Sequence, residues 1–266
     1  MATRARRRRV AHPRGPVWLF DLDNTLHHAS HAVFPQINRA MTDYIERALQ
    51  VSRDEADRLR VHYTRRYGAT LVGLARHHPL DPDDFLAQVH RFHDLHSMLR
   101  AERGLARLLR ALPGRRILLT NGPRRYAQAV LDALGITELF EQVIAIEQMR
   151  YRDRWHAKPD AGMLRRTLRR ARVRARDATL VEDTRSHLKR YKRLGLRTVW
   201  MVGHLPPVPR ASGGPPALAG TGRAHYIDCR VRSIKSLRLK PLNASRRAPC
   251  GSRPDAPTRR LNRRVH

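Results

Sequence analysis

Two carboxylates close the first hydrophobic segment of the chain. Asp21 and Asp23 stand two positions apart, directly after the apolar residues 17–20. If the chain turns where this segment ends, both side chains reach one site, and a cation there relieves the repulsion between them. Hard divalent cations such as Mg²⁺ prefer oxygen ligands of this kind. A surface turn assisted by Asn24 is the alternative interpretation of the same residues.

Polar and charged groups also follow later apolar segments. Thr120 and Asn121 offer a hydroxyl and an amide that can donate hydrogen bonds to phosphoryl oxygens. Lys158 is one of only five lysines among 54 basic residues, and it offers a compact positive charge for an anionic oxygen. Glu182 and Asp183 form a second pair of carboxylates. Each group taken alone also fits an ordinary turn, a surface position or a helix N-cap.

The predicted elements bring these groups together. Short apolar runs alternate with helix patterns, which indicates a parallel, doubly wound (Rossmann-like) α/β sheet. In such a sheet, ligands bind where the strands end at their carboxyl edge. The polar groups named above all stand at strand or helix edges. The predicted strands are 17–20, 116–120, 143–146, 178–183 and 198–202, and the helices between them are 124–134, 160–172 and 185–194.

Helix signals between the first two strands predict an inserted all-helical cap domain over residues 27–99. Ser52 begins a capping box of the S-x-x-E type. Asp81 precedes a proline and marks a second helix start, and the apolar spacing continues that helix as far as Phe92. The catalytic core is then predicted to comprise residues 17–26 and 100–204.

The chain is strongly basic, with a formal net charge of +31. Residues 1–16 carry six arginines and no acid, and residues 205–266 carry 14 basic residues against two acids. We expect basic disordered tails at 1–16 and 241–266, and a linker over 205–240 with a last edge strand at 224–228. A nucleic-acid-binding surface would also be basic, but these stretches lack the interleaved aromatic residues that single-strand binding favours.

The composition predicts a cytoplasmic globular protein. No run of residues approaches the roughly 20 apolar positions that a membrane-spanning helix needs. Cys229 and Cys250 stand late in the chain without metal-ligand spacing. They argue against a disulfide framework, so a reducing compartment is the expectation.

Four short motifs, in this order, carry a family resemblance. The segments "DLDNT", "LLTNG", "AKPD" and "LVEDT" lie between residues 19 and 184. Together they resemble the haloacid dehalogenase superfamily of phosphohydrolases, whose capped members insert helices just after the first motif. Within the predicted cap, "YTRRYGATLVGL" at 63–74 is similar to the pyrimidine 5′-nucleotidase-like branch.

The resemblance implies a role for each motif residue. Asp21 is the implied nucleophile, and Asp23 is the implied general acid and base. Thr120 and Lys158, together with Asn121, would bind the phosphoryl oxygens. The implied Mg²⁺ ligands are Asp21, the backbone carbonyl of Asp23 and Asp183, with Glu182 assisting from behind them.

The implied reaction is Mg²⁺-dependent hydrolysis of a phosphate monoester through an aspartyl-phosphate. The expected partner is a small phosphorylated metabolite, in the first place a pyrimidine nucleoside 5′-monophosphate. A sugar phosphate or phosphoglycolate, a phosphomutase reaction, and an Arg-rich nucleic-acid-associated protein on the same fold are the alternatives. An acid at Asp23 fits ester cleavage better than dehalogenation, because an alkoxide leaving group needs a proton and a halide does not.

Other positions give weaker signals. Tyr63, Tyr67 and Thr70 are candidate substrate contacts, with core packing as the alternative interpretation. His27 and His28 follow the first motif and receive no role. His187 stands where relatives often have Gly or Asn, and we expect no catalytic duty for it.

Overall fold

Six parallel strands form one sheet at the centre of the protein. The computed structural model describes residues 15–205 and 224–239. The strand order is β3-β2-β1-β4-β5-β6, so the first strand lies in the middle and the chain winds outward in both directions. This confirms the predicted doubly wound α/β sheet. The strands are β1 (Val17–Phe20), β2 (Arg115–Leu119), β3 (Gln142–Ile144), β4 (Ala178–Glu182), β5 (Arg197–Met201) and β6 (Cys229–Val231).

Helices cover both faces of this sheet and fill the segment between β1 and β2. Ten α-helices are present in the described part of the chain. They are α1 (Val33–Leu49), α2 (Arg53–Tyr67), α3 (Thr70–His77), α4 (Pro82–Val89), α5 (Leu95–Met98), α6 (Leu105–Arg110), α7 (Arg124–Ala133), α8 (Ala161–Arg170), α9 (Arg185–Lys192) and α10 (Lys235–Leu239).

Strand β1 is buried along its whole length because both of its faces are covered. Trp18 and Phe20 point into one apolar cluster, while Val17 and Leu19 point into the cluster on the opposite face. This alternation is the period of two that a strand imposes on its side chains. Central strands of parallel sheets read as continuous apolar runs for this reason.

The helices inserted after β1 build a third apolar cluster of their own. Tyr44 and Ile45 of α1, Leu74 of α3 and Phe85 of α4 are buried in it. The first turns of α1 pack instead against the sheet, through Val33. Helix α1 therefore joins the inserted helices to the sheet. The cap boundaries at 27 and 99 stay a prediction.

Most predicted ends of helices and strands agree with the structure within two residues, but two predictions differ by more. Helix α4 ends at Val89, not at Phe92, because His90 leaves the helical conformation and its Nδ1 bonds back to the Leu86 carbonyl oxygen at 3.1 Å. The edge strand is Cys229–Val231, not 224–228. Residues 224–227 form a turn, and the Asp228 carboxylate accepts a hydrogen bond from the Thr198 N–H at 2.8 Å, so the ladder with β5 starts one residue later.

The predicted N-caps Ser52 and Asp81 are confirmed, but the capping box is half formed: the Glu55 carboxylate accepts a hydrogen bond from Arg58 Nε at 2.8 Å. Ser52 Oγ accepts a hydrogen bond from the Glu55 N–H at 3.3 Å, and Asp81 accepts one from the Asp83 N–H at 2.9 Å. In residues 15–205 and 224–239, the structure contains no helix with the length and apolarity needed to cross a bilayer. The predicted tails, and most of the predicted linker, lie outside the described residues.

Candidate active site

Three loops at the carboxyl edge of the sheet bring the predicted polar groups together. Asp21 follows β1, Thr120 follows β2 and Asp183 follows β4, and these strands are neighbours in the sheet. Just after β1 the chain turns through Asn24, whose φ of 58° is left-handed. Asparagine tolerates that conformation better than most residues, and the Asn24 side chain is fixed by two hydrogen bonds to Ser30. The turn lets both Asp21 and Asp23 line one cavity.

Lys158 lies between two carboxylates. Its Nζ is 2.5 Å from Asp21 Oδ1 and 2.8 Å from Glu182 Oε2. The three residues are almost fully buried. Burial opposes the charge on the lysine, but the two carboxylates outweigh it and raise the pKa of Lys158 above its ordinary value. The lysine is therefore a permanent positive charge at the end of β1.

The second oxygen of Asp21 is also held. Thr25 Oγ1 donates a hydrogen bond to Asp21 Oδ2 at 3.0 Å. With Lys158 on Oδ1, both carboxylate oxygens have defined partners and the side chain has one orientation. Thr25 belongs to the "DLDNT" motif, but the sequence assigned it no role.

Three carboxylates form an acidic cluster beside this lysine. Asp21, Glu182 and Asp183 each offer an oxygen, and these oxygens all lie within 4.8 Å of one another. Burial and the neighbouring Glu182 raise the pKa of Asp21 to about 7 and that of Asp183 to about 9. Glu182 itself is buried, but Lys158 and His187 keep its pKa below the ordinary value.

This cluster fits a divalent cation. One lysine faces three carboxylates. The raised pKa values of Asp21 and Asp183 indicate that the protein does not neutralise all of the negative charge of this cluster. Oxygen donors at such separations are the ligands that Mg²⁺ takes. Three of the residues predicted around the metal, Asp21, Glu182 and Asp183, are thus together.

Asp23 is held by two residues on its other side. Tyr126 OH donates a hydrogen bond to Asp23 Oδ1 at 2.5 Å, and His27 Nε2 lies 3.0 Å from the same oxygen. Burial, followed by the charge of Asp23, raises the pKa of Tyr126 well above its ordinary value, so the phenol stays a donor. Sequence reasoning missed Tyr126, since it stands 103 positions from Asp23 and outside every motif.

Thr120 faces the cavity as predicted, but Asn121 does not present a free amide there. Thr120 Oγ1 accepts a hydrogen bond from the Gly122 N–H at 3.0 Å, which leaves its own hydrogen for a ligand. Asn121 Nδ2 donates to the carbonyl oxygens of Gly68 and Lys158, at 3.1 and 3.2 Å. Asn121 Oδ1 accepts from the Lys158 N–H at 2.8 Å. The prediction that this amide binds phosphoryl oxygens is therefore corrected: Asn121 holds the Lys158 loop.

The inserted helices approach the loop that carries Lys158 closely at one glycine. Gly68 ends α2 with a φ of +89°, and a Cβ built on it would lie 1.9 Å from the Lys158 carbonyl oxygen. Only glycine allows this approach. The hydrogen bond from Asn121 Nδ2 to the Gly68 carbonyl oxygen is part of the same contact between the inserted helices and the Lys158 loop.

A cavity of about 1040 Å³ lies between these helices and the acidic cluster. Tyr67 and Thr70 line it, although the Thr70 hydroxyl is engaged by the Arg60 carbonyl at 3.2 Å. Tyr63 does not line it. Its ring packs on Gly73 in the third apolar cluster, its hydroxyl lies 2.7 Å from His78 Nε2, and its prediction as a substrate contact is wrong.

The histidines without a predicted role occupy different places. His187 is buried, and its Nδ1 lies 3.1 Å from Glu182 Oε2, though not in a direction that forms a hydrogen bond. His27 is fully buried behind Asp23. His28 stacks on His204 with ring centroids 5.3 Å apart and does not line the cavity.

Known proteins share this sequence pattern and fold. Residues 17–202 match the haloacid dehalogenase-like hydrolase family. The chain is 28% identical over 142 residues to Phosphate metabolism protein 8 of Saccharomyces cerevisiae. That match covers 49% of this chain and 43% of the yeast protein, so the chain spans less than half of this curated relative.

Two solved structures illustrate the likeness in fold. A HAD phosphatase from Thermococcus onnurineus has a TM-score of 0.55 at 20% identity, over 84% of this chain and 96% of that one. CbbY from Rhodobacter sphaeroides, in complex with phosphate, has a TM-score of 0.54 at 24% identity, over 84% and 96%. The match to the family covers more than half of this chain. The chain therefore belongs to the haloacid dehalogenase-like hydrolases.

Proposed function

We propose that the protein is a Mg²⁺-dependent phosphate monoester hydrolase that acts through an aspartyl-phosphate. The observation that carries this proposal is the buried Asp21 carboxylate, held by Lys158 and Thr25 beside Glu182 and Asp183. The name of the yeast relative and the phosphate bound to CbbY support phosphate chemistry rather than dehalogenation.

In the first step, an oxygen of Asp21 attacks phosphorus and the bond from phosphorus to the ester oxygen breaks. Asp23 gives its proton to the departing oxygen, so that an alcohol leaves. Lys158 holds positive charge next to the attacking oxygen throughout. Thr120 has its hydroxyl hydrogen available for a phosphoryl oxygen.

In the second step, water attacks the phosphorus of the aspartyl-phosphate. Asp23, now a carboxylate, takes a proton from that water, and the bond between phosphorus and Asp21 breaks. Inorganic phosphate leaves, and both aspartates regain their starting states. Splitting the reaction in two replaces one difficult displacement by two easier ones.

Asp21 and Asp183 would hold Mg²⁺, together with the backbone carbonyl of Asp23 and with Glu182 next to them. Bound there, the ion would supply positive charge that stabilises the phosphoryl oxygens during the transfer. We assign the helices within residues 27–99 as a cap that closes the cavity against water. A cytoplasmic location stays part of the proposal.

The substrate we favour is a nucleoside 5′-monophosphate, in the first place a pyrimidine one. A cavity of about 1040 Å³ has room for a nucleoside beyond the phosphate, and Tyr67 offers an aromatic ring on its wall. Sugar phosphates are the second candidate, because Arg60, Arg65 and Arg76 on the same wall suit further polar or anionic groups. Phosphoryl transfer to a second hydroxyl, as in a mutase, uses the same aspartyl-phosphate.

A phosphate-release screen tests the proposal. Nucleoside monophosphates, sugar phosphates, phosphoglycolate and p-nitrophenyl phosphate are offered to the wild-type protein with Mg²⁺ or with EDTA. We expect release from at least one ester with Mg²⁺ only, and none from Asp21→Asn. Release that is equal in EDTA, or equal in Asp21→Asn, would overturn the mechanism.

A further inference from the structure

Both hydrogen-bond donors that reach Asp23 bind the same oxygen. Tyr126 OH is 2.5 Å and His27 Nε2 is 3.0 Å from Oδ1. In the described part of the chain, no hydrogen bond reaches Oδ2. The Asp23 side chain is 14% exposed and lines the cavity. The two oxygens therefore differ: one is held by the protein, and the other faces the substrate.

The protonation of His27 follows from its surroundings. His27 is fully buried, and its Nδ1 has no hydrogen-bond partner among the described residues. The ring nitrogen that has a hydrogen-bond partner is Nε2, which lies 3.0 Å from Asp23 Oδ1. A hydrogen on Nε2 is therefore satisfied by donating to Asp23 Oδ1, which the buried Nδ1 position does not offer.

Tyr126 reaches the same oxygen from a different element. It belongs to α7, which follows β2, whereas His27 lies in the segment just after β1. The Tyr126 ring is buried and packs against Phe92 and His90, with centroids 5.6 and 5.4 Å away. Its hydroxyl position is therefore fixed by packing that does not involve Asp23.

We propose that Tyr126 and His27 are positioning residues, which fix the Asp23 carboxyl group so that the proton it transfers is carried on Oδ2. An oxygen that accepts two hydrogen bonds has no room for a proton of its own. The proton goes to the cavity-facing oxygen, where the leaving group departs and where the water later enters. This inference rests on the proposed function, because it needs Asp23 to act as the acid.

The positioning has a consequence that general structural damage does not share. A misplaced acid slows the first step, and so lowers kcat/KM, only for esters whose leaving group needs a proton; it spares the first step of esters whose leaving group departs as a stable anion. The second step is the same for every ester, so its loss of the base lowers kcat alike for both kinds. Alkyl phosphates, such as glycerol phosphate or a nucleoside 5′-monophosphate, are of the first kind. The phenolate of p-nitrophenyl phosphate is of the second kind.

Three variants test this. Tyr126→Phe removes one hydroxyl and keeps the ring packed against Phe92. His27→Leu removes the second donor, and His27→Gln restores a nitrogen donor at about the Nε2 position. Tyr44→Phe is the matched control, since Tyr44 OH also donates to an aspartate, at 2.9 Å, but away from the cavity.

For an alkyl phosphate, we expect Tyr126→Phe and His27→Leu to lower kcat/KM, which reports the steps up to departure of the leaving group, by about 10–100-fold, as measured for outer groups that orient a reactive side chain. For p-nitrophenyl phosphate the loss should be a few-fold. His27→Gln should recover most of the rate that His27→Leu loses, and Tyr44→Phe should behave as wild type. Unfolding curves of all variants show whether each one folds.

An equal loss of kcat/KM on both kinds of ester, or no loss of kcat/KM in folded Tyr126→Phe, would overturn the positioning and leave the proposed function standing. A failure of His27→Gln to recover rate while Tyr126→Phe shows the leaving-group pattern would remove His27 from the inference. A wild-type protein inactive on every ester would overturn the proposed function, and the inference with it.

Discussion

At the scale of single residues, the site is a balance of charges that the protein alone leaves negative. Lys158 neutralises part of the charge of Asp21 and Glu182, while the Asp183 carboxylate accepts a hydrogen bond from the neutral Thr184 hydroxyl at 3.0 Å. Such sites favour function over stability. Removing one carboxylate should therefore stabilise the metal-free protein.

Asp183→Asn tests this balance. In EDTA we expect its free energy of unfolding to exceed that of the wild type by about 1 kcal/mol, the usual scale of a single stabilising change. Mg²⁺ should stabilise the wild type and have little effect on the variant. Urea unfolding with EDTA or Mg²⁺ measures both. Asp43→Asn, at an exposed acid, is the control, and a variant that Mg²⁺ stabilises as strongly as wild type would contradict the metal assignment.

His90 should make the stability of the folded protein depend on pH. Burial lowers its pKa to about 4 from 6.5, although the Leu86 carbonyl and the charge of Asp23 oppose this. Between pH 6.5 and 4 the unfolded chain binds more protons than the folded protein, so stability falls as pH falls through this window. The loss attributable to His90 is at most about 3 kcal/mol.

His90→Gln should flatten the part of this pH profile that His90 causes, as measured by urea unfolding at pH 7, 6, 5 and 4.5. The remaining slope comes from groups such as His28, His78 and His204, whose pKa values are also lowered by burial. A profile as steep as that of the wild type would show that the pKa of His90 is not lowered as described above.

At the scale of elements, the sequence predicted what depends on local pattern and missed what depends on contacts. The strands around β1 were predictable because apolar runs end in polar loops. The end of α4 was missed, because apolar spacing continues through Phe92 while His90 turns out of the helix. Tyr126 and Gly68 were missed, because their partners stand far away in the chain and no local pattern marks them.

Gly68 makes the clearest prediction at this scale. Gly68→Ala should push the inserted helices away from the Lys158 loop, since the added Cβ would lie 1.9 Å from a backbone oxygen. We expect kcat/KM to fall by about 100-fold, the loss typical of a misplacement near 1 Å. Gly195→Ala is the matched control, because Gly195 has the same φ of +89° and no atom within 4 Å of the added Cβ.

The positive φ should cost both variants about 1–2 kcal/mol of stability, and the clash with Lys158 adds a further loss in Gly68→Ala alone. Steady-state kinetics and unfolding curves then separate strain from contact. Equal kinetic losses in the two variants would show that the approach of Gly68 to Lys158 has no part in catalysis.

At the scale of the whole molecule, the residues that match the hydrolase family and the residues that carry much of the excess positive charge lie in different parts of the chain. The match to the hydrolase family covers residues 17–202, while residues 1–16 and 205–266 hold a large share of the excess of arginine and lysine. The carboxylates of the site lie between these segments in the chain. The charge therefore needs no place in the mechanism.

Deleting residues 1–14 and 241–266 should leave turnover of the best ester within about twofold, because every residue assigned to the chemistry remains. Steady-state rates of the full chain and the shortened chain measure this. A large loss of turnover, together with nucleic-acid binding by the full chain that falls steeply with salt, would favour the nucleic-acid-associated alternative.

The central claim is that Asp21 becomes phosphorylated. Asp23→Asn offers the most direct measurement, because p-nitrophenyl phosphate needs no acid for its departure while the second step still needs the base. We predict that acid quenching of this variant, followed by peptide mass spectrometry, finds a phosphoryl group on Asp21. Its absence there, or its presence on another residue while the wild type releases phosphate, would contradict the account.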